Sequence, residues 1–327
     1  MKMKRFSALA LCATLLAAVN FHATAQPAGY PAKPVRWVIA TAAGGGSDVM
    51  ARMIGLQMAS QMGQSVVIDN RPGGASLIAS ENVARSPADG YTVYSADNGT
   101  LIFNTVLFKK LPYDPQRDFA PVGLTARFPL VLATHPASGF QTAKEAVEAI
   151  RKAPGKYSYA SSGMGSPHHL AMEMLKERAG LDINHAPYKG GAPAMQDVVS
   201  GQLPFIVIDL ATANPMIKAG RLKVLAAFSR QRMASLPDTP TLIELGYTDI
   251  EAAAWQGMVV ASATPPEVVE RLGKELRQAI ETPAVKTKMI ELGVEPTPSD
   301  AAAMRQHWNK EAQYWPKLIR ERQITLD

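Results

Sequence analysis

The chain has 327 residues, which is long enough for two domains of ordinary size. Hydrophobic residues make up 47% and charged residues 19%, a composition typical of globular α/β proteins and not of disordered, collagen-like or coiled-coil chains. The formal net charge is +6, but much of this excess lies in the first few residues.

The N-terminus resembles a secretory signal. Lys2, Lys4 and Arg5 precede an apolar run at 6–19, and Ala23-Thr24-Ala25 has the small-residue pattern of a cleavage site. The run is too short to span a bilayer, so we expect cleavage after Ala25 and an exported, soluble, periplasmic protein. An uncleaved anchor is the alternative.

Cleavage would change both the charge and the redox chemistry of the chain. It removes three of the 34 basic residues and leaves a net charge of about +3, with no basic stripe that would favour nucleic acid. It also removes Cys12, the single cysteine, so we expect no disulfide and no thiolate metal site. We expect a monomer that needs no cofactor.

Short β-branched runs alternate with amphipathic stretches from Tyr30 onward, which predicts mostly parallel sheets flanked by helices. Predicted strands cover 35–41, 65–69, 91–95, 157–161, 205–208 and 224–228. Predicted helices cover 48–62, 75–85, 167–179, 265–281, 283–292 and 300–322, and another begins at the capping box of Thr142 and Glu145. Thr241 and Glu244 form a second capping box.

Two extended, proline-bearing segments, 121–136 and 249–264, interrupt this alternation. The simplest explanation is that the chain crosses from one lobe to a second and then returns. This predicts a two-lobed α/β protein of the type II Venus-flytrap form. Lobe one would contain 26–127 and 251–327, and lobe two would contain 128–250.

Two loops share the features of an anion site. Residues 43–48 and 162–166 each follow a predicted strand, contain glycines that let a ligand approach the main chain, and lead into a helix. A helix N-terminus presents unpaired N–H groups and about half a positive charge, which favours an anion. One loop from each lobe would therefore hold a small carboxylate from both sides and favour closure of the cleft.

Structural explanations of these residues stay open. Asp48, Ser47 and Ser166 could be helix N-caps, and the carboxylate of Asp48 would repel an anion. The adjacent His168 and His169 point about 100° apart on a helix, so they do not form an i, i+4 metal pair, and we expect no metal.

No local motif favours an enzyme. The sequence around Ser47 lacks the second glycine of a G-x-S-x-G nucleophile elbow, and the chain contains no P-loop motif. A Ser/His/Asp triad without a local signature, in an exported hydrolase, stays open as an alternative. A sensory receptor for a membrane kinase is another, since folds of this kind serve both roles.

The two loops belong to an ordered series of motifs that resembles the Bug family, the extracytoplasmic solute receptors of tripartite tricarboxylate transporters. The series covers nearly the whole mature chain and is more specific than any single motif. In chain order it contains residues 30–34, 44–48, 51–52, 69–74, 89–92, 161–166, 169–170, 188–190, 201–202, 219–222, 236–241 and 255–257.

The resemblance implies a ligand between two lobes and no catalysis. It assigns the first loop to one carboxylate, largely through main-chain N–H groups and water, and the second loop to the other end of the ligand. The implied ligand-binding residues are Ala43, Gly44, Gly45, Ser47, Asp48, Ser162, Gly163, Gly165 and Ser166, with Asn98 and Asp209 as weaker candidates. Thr41 is a further candidate because of its place just before the first loop. The implied partner is a membrane complex of one large and one small transport subunit.

The chain departs from the family pattern at one place. Many relatives have Pro-Phe immediately before the first loop, whereas this chain has Ala40-Thr41. Thr41 would widen the pocket or add a polar contact if it faces the ligand, and would have neither effect if it packs under the loop. The identity of the carboxylate, aliphatic or aromatic, mono- or dicarboxylate, therefore does not follow from the relatives.

Overall fold

The computed structural model of the chain describes residues 29–41, 43–44 and 46–326. The predicted signal peptide lies outside the described residues. Across the described ranges, none of the helices combines the length and the apolar character needed to cross a bilayer.

The first lobe begins with alternating strands and helices, and the starts and ends of the predicted elements shift by only a few residues. Met50, Ile54 and Met58 lie on the predicted buried side of the first long helix and are at most 4% exposed. The elements are β1 Val35–Ile39, α1 Gly46–Met62, β2 Val66–Asn70, a 3₁₀ turn Gly74–Ser76, α2 Leu77–Ala84, β3 Thr92–Asp97, a π-helical turn Gly99–Phe103, α3 Asn104–Leu107 and α4 Pro115–Asp118.

The second lobe repeats this alternation. Its predicted helix at 167–179 is confirmed at both ends, since Gly180 adopts the left-handed conformation that terminates it. The elements that lead into and form this lobe are β4 Phe119–Thr134, a 3₁₀ turn Pro136–Ser138, α5 Ala143–Lys152, β5 Ser158–Ser161, α6 Pro167–Ala179, β6 Asn184–Pro187, α7 Gly191–Val199, β7 Phe205–Asp209, α8 Leu210–Lys218 and β8 Lys223–Ala227.

The chain then returns to the first lobe and ends there. The returning strand pairs with β3, and the last helix packs on β4 through a buried face that contains Trp308 and Trp315. These elements are β9 Ala253–Ala261, α9 Pro266–Glu281, α10 Pro283–Glu291, β10 Glu295–Pro296 and α11 Ala301–Glu321.

Strand β4 joins the two lobes. Its first part, Phe119 to Pro129, pairs with β9, and its last part, Leu130 to Thr134, pairs with β7. Strands β2, β1 and β3 are parallel on one side of this crossing, and β6, β5 and β7 are parallel on the other. The fold is therefore two-lobed, as predicted, with antiparallel crossing strands added between the two parallel sets. The lobe limits of 26–127 with 251–327, and of 128–250, stay a prediction.

The second capping box forms its hydrogen bonds without forming a helix. The side chains and main-chain N–H groups of Thr241 and Glu244 are bonded reciprocally, at 3.1 and 2.7 Å, but the residues that follow are turns. Leu242 N–H donates to the carbonyl of Ala227 in β8, and Gly246 has a φ of +93° five residues after the cap. The segment is thus held against β8 and ends too soon for a helix.

Candidate ligand-binding cleft

A cavity of about 580 Å³ opens between the lobes, where the carboxyl ends of β1, β3, β5 and β7 meet. Ligands of open α/β sheets bind at such strand ends. Six predicted site residues line it: Thr41, Gly44, Ser47, Asn98, Ser162 and Asp209. The other lining residues are Gly46, Val49, Met50, Asp97, Phe128, Pro167, His168, Ala211, Thr212, Ala254, Trp255, Gln256, Met289, Leu292 and Val294.

Asp48 fixes the loop of lobe one from behind. Its side chain is buried and accepts hydrogen bonds from the Gly44 N–H at 2.8 Å, from Arg52 Nε at 2.9 Å and from Asn70 Nδ2 at 3.0 Å. The hydrogen bond from Arg52 is the largest cause that lowers the pKa of Asp48 to about 2, and those from Gly44 and Asn70 add to it against the effect of burial. Asp48 is therefore ionised, and its carboxylate oxygens accept hydrogen bonds from the protein itself. Asp48 does not line the cavity.

The opposite, solvent-facing part of the same loop reaches the cavity. Thr41 is exposed and lies on the cavity wall, while its carbonyl accepts from Asn70 Nδ2 at 3.0 Å. The Ser47 hydroxyl accepts from Gln256 Nε2 of β9 at 2.5 Å. Position 41 therefore faces the cavity and does not pack under the loop.

The loop of lobe two is fixed by histidines. Gly165 N–H donates to His169 Nδ1 at 3.0 Å, and Ser161, whose hydroxyl accepts from Gly163 N–H, contacts His185 Nε2 at 2.6 Å. Gly165 is buried with a φ of +69°, and a Cβ there would lie 2.6 Å from Leu107 of lobe one. The left-handed backbone conformation favours glycine here, and a larger residue would also require the Leu107 side chain to shift.

The two supporting histidines are stacked and neutral. Their ring centroids lie 3.9 Å apart with an interplanar angle of 13°. Burial lowers the pKa of His169 to about 3 and that of His185 to about 4, and the nearby Lys176 contributes in both cases. Because neither ring is protonated at neutral pH, His169 Nδ1 stays available as the acceptor for Gly165 N–H.

Ser166 serves as the N-cap of α6. Its hydroxyl accepts from His169 N–H at 3.2 Å, which satisfies one of the unpaired donors of the first turn. The residue does not line the cavity. The capping role, one of the two interpretations open at the sequence level, therefore accounts for this hydroxyl.

Ser162, His168 and Asp209 form a chain of polar contacts on the lobe-two wall. Ser162 Oγ lies 2.5 Å from His168 Nδ1, and His168 Nε2 lies 3.4 Å from Asp209 Oδ2. Asp209 also caps α8 by accepting from Thr212 N–H at 2.8 Å. Burial alone would raise the pKa of Asp209, but the bonds from His168 and Thr212 together lower it.

The direction of the His168–Asp209 bond follows from the carboxylate. An ionised carboxylate only accepts, so Nε2 of His168 carries a proton and donates to Asp209. The contact between Ser162 Oγ and His168 Nδ1 joins a hydroxyl, which both donates and accepts, to a ring nitrogen whose role depends on the tautomer.

Two buried amide oxygens on the opposite wall have no hydrogen-bond partner. Asn98 is fully buried and donates through Nδ2 to the carbonyl of Ala253 at 3.0 Å, which leaves Oδ1 unpaired. Gln256 donates to Ser47, which leaves Oε1 unpaired. Asp97 lies directly opposite Gln256 in the β3–β9 pairing, and both line the cavity.

The predicted site residues thus divide into two groups. Five of them do not line the cavity: Ala43, Asp48, Gly163, Gly165 and Ser166. Among these, Asp48, Gly165 and Ser166 form hydrogen bonds that hold the loops in place. Gly45 lies outside the described residues. The sequence reasoning missed Asp97, His168, Thr212 and Gln256 as lining residues. His168 was discounted because it forms no metal pair with His169, although its place in the first turn of α6 could have indicated it.

The electrostatics of the cavity come from main-chain dipoles. Helices α1, α6 and α8 all begin at its wall, and each presents the positive end of its dipole there. Among the described lining residues there is no lysine or arginine, and the ionisable side chains are Asp97, His168 and Asp209. A negative group could therefore be held only by N–H groups, hydroxyls and bound water.

A two-lobed α/β protein with such a cleft belongs to the class of periplasmic-type solute-binding proteins. The family model described as "Tripartite tricarboxylate transporter family receptor" matches residues 50–324. The chain belongs to this receptor family, which confirms the family predicted from the sequence motifs.

Two curated relatives illustrate the range of similarity. A protein encoded in the tcbD–tcbE intergenic region of Pseudomonas sp. (strain P51) is 35% identical over 91% of this chain and 89% of its own length. Protein BugT of Bordetella pertussis is 30% identical over 96% of both chains.

Solved structures agree with the fold. A Rhodopseudomonas palustris protein solved with adipate has a TM-score of 0.83 at 31% identity, covering 90% of this chain and 99% of its own. The periplasmic binding protein BugD has a TM-score of 0.78 at 32% identity, covering 90% and 99%. MatC from R. palustris, with bound malate, has a TM-score of 0.78 at 27% identity, covering 89% and 100%. These similarities confirm the two-lobed fold and the solute-binding class.

Proposed function

We propose that this protein is an exported receptor that captures a small carboxylate between its lobes and delivers it to a tripartite membrane transporter with one large and one small subunit. The observation that carries the proposal is the cavity of about 580 Å³ whose two walls are the N-terminal ends of α1, from lobe one, and of α6 and α8, from lobe two. A ligand that contacts both walls would favour closure of the cleft.

The carboxylate would be bound without a cationic side chain. Unpaired N–H groups at the helix starts and the hydroxyls of Thr41 and Ser47 are the donors available on the wall, because the Thr212 hydroxyl already donates to Asp209 at 2.8 Å. A hydrogen bond to a charged group contributes about 1.5–3 kcal/mol, so three of them contribute about 4.5–9 kcal/mol toward the roughly 8.2 kcal/mol that a micromolar Kd requires.

An apolar region accommodates the hydrocarbon part of the ligand. Phe128, Met289, Leu292 and Val294 lie together on the side of β4 and α10. Burial of apolar surface there would add about 25 cal/mol per Å². This arrangement suits an aliphatic or aromatic carboxylate, and the similar structures with adipate and malate support the same ligand class.

A thermal-shift screen of the chain from Gln26 onward, against aliphatic and aromatic mono-, di- and tricarboxylates, tests the proposal. A ligand at 100 times its Kd stabilises the folded state by about 2.7 kcal/mol, which raises the melting temperature measurably. If no carboxylate raises it, the protein is not a carboxylate receptor.

A hydrolase is the alternative that one observation favours, since Ser162, His168 and Asp209 are the residue types of a catalytic triad and touch in that order. The ring is turned the other way round from such a triad, in which Nε2 faces the serine. Release of nitrophenol from a chromogenic ester by the wild type, abolished in Ser162→Ala, would favour the hydrolase. An equal background rate in both proteins would reject it.

A further inference from the structure

The wall of the cavity formed by β3 and β9 carries three side chains with acceptor oxygens. We define the acceptor cluster as the Asp97 carboxylate, Asn98 Oδ1 and Gln256 Oε1. Asp97 and Gln256 occupy paired positions on neighbouring strands, where side chains on one face lie about 5 Å apart. Asn98 follows Asp97 directly, and its amide orientation is fixed by the bond from Nδ2 to Ala253.

Two of the three groups in this cluster lack a donor, and the third is a carboxylate without a cationic partner among the described lining residues. Asn98 Oδ1 and Gln256 Oε1 have no hydrogen-bond partner although both atoms are buried. Asp97 accepts from the Thr100 N–H at 2.7 Å, and burial raises its pKa more than the hydrogen bonds from Thr100 and from its own N–H lower it. A buried acceptor without a donor costs free energy, so a ligand that supplies donors here gains affinity.

The charge balance indicates which donor fits best. Asp97 and Asp209 both line the cavity, and none of the described lining residues is a lysine or an arginine. A ligand with carboxylates alone would add negative charge beside Asp97 and leave both amide oxygens unpaired. An ammonium group has three donors, the same number as the groups in the acceptor cluster, and it neutralises charge as well.

We propose that the ligand is an ammonium-bearing carboxylate, with its ammonium group on the acceptor cluster and its carboxylate at the helix N-termini. This inference rests on the proposed function, because it specifies the ligand of the same cavity. A hydroxyl group in place of the ammonium supplies one donor and no charge, so a hydroxycarboxylate would bind with intermediate affinity.

Calorimetry with matched ligands tests the proposal. The probes are triplets of equal chain length: succinate, malate and aspartate; glutarate, 2-hydroxyglutarate and glutamate; adipate, 2-hydroxyadipate and 2-aminoadipate. Within the triplet that binds best, we expect the amino acid to bind at least about tenfold more tightly than the unsubstituted acid, with the hydroxy acid between them. Equal or tighter binding of the unsubstituted acid would overturn the inference and leave the proposed function standing.

Asp97→Asn locates the effect. Asparagine keeps the acceptor for the Thr100 N–H but removes the negative charge, so the preference for the amino acid over the unsubstituted acid should fall by about tenfold. Asp238→Asn, at an exposed position away from the cavity, is the matched control and should keep the wild-type preference. A preference that persists in Asp97→Asn would contradict the assignment to Asp97. If this variant does not fold, the comparison of ligands on the wild type still decides the question. If the wild type binds no member of any triplet and no carboxylate in the wider screen, the proposed function itself is overturned.

Discussion

The two loops that face each other across the cleft look alike in sequence but are fixed by different chemistry. In lobe one, the ionised side chain of Asp48 gathers Gly44 N–H, Arg52 and Asn70 behind the loop. In lobe two, the neutral rings of His169 and His185 stack behind the loop and accept from Gly165 N–H and contact Ser161, respectively. Both arrangements keep a glycine-containing strand-to-helix connection in place.

The difference shows that the supports, and not the loops, decide how each side responds to pH and mutation. Asp48 stays charged to about pH 2, so its support depends on an ion pair. His169 stays neutral to about pH 3, so its support depends on the absence of charge. The two loops should therefore be separable by experiment.

The largest effect is expected from Asp48→Ala. The substitution removes the acceptor for three donors and leaves Arg52 without its buried partner, so we expect a loss of about 2 to 3 kcal/mol in the free energy of unfolding, measured by urea denaturation. Asp48→Asn retains one carbonyl oxygen and should lose less. Equal stability of wild type and Asp48→Ala would show that the loop of lobe one does not depend on this carboxylate.

Acid should weaken the lobe-two support first. The pKa of His169 is about 3 in the folded protein and about 6.5 when unfolded, so the unfolded chain binds more protons between these values. The free energy of unfolding therefore falls as the pH decreases through this window, by up to about 2 kcal/mol between pH 6.5 and 5.

Urea denaturation at pH 7 and pH 5 measures this fall. His169→Asn keeps an acceptor near the position of Nδ1 but removes the titrating ring, so the difference between the two pH values should shrink. His135→Asn, at a position outside the loop and its supports, is the control. An unchanged difference in His169→Asn would mean that other groups cause the acid sensitivity.

The smallest effect is expected from Ser166→Ala. Loss of the N-cap of α6 should lower the free energy of unfolding by about 1 kcal/mol, and Ser166→Thr should restore it because threonine also caps. Since Ser166 does not line the cavity, the Kd measured by calorimetry should change by less than about twofold. A tenfold weaker Kd at unchanged stability would place this hydroxyl on the ligand instead.

Local sequence signals predicted several helix starts and ends of this protein correctly. The structure confirms the start of α6 at Pro167, its termination at Gly180 and the capping box of Thr142 and Glu145. These features could be predicted because their hydrogen bonds join residues close in sequence. Helix α8 was not predicted, and it contains Pro215 in its interior, where proline usually argues against a helix.

The candidate site was less accessible to sequence reasoning because its walls come from distant segments. Gln256 meets Ser47 across 209 positions of sequence, and no local pattern marks that pairing. The role of Asp48 could not be predicted either, because its carboxylate accepts a hydrogen bond from Asn70, which lies at the end of a different strand. The two loops could be predicted because each carries its glycines and its helix start within a few residues.

The central claim is that a carboxylate bridges the two loops. A crystal structure of the chain from Gln26 onward, with the carboxylate that gives the largest thermal shift, tests it most directly. We expect ligand density in the cavity between the start of α1 and the starts of α6 and α8, in contact with residues of both lobes, including Ser47 and Ser162. Density that contacts one lobe alone, or lies outside this cavity, would contradict the account.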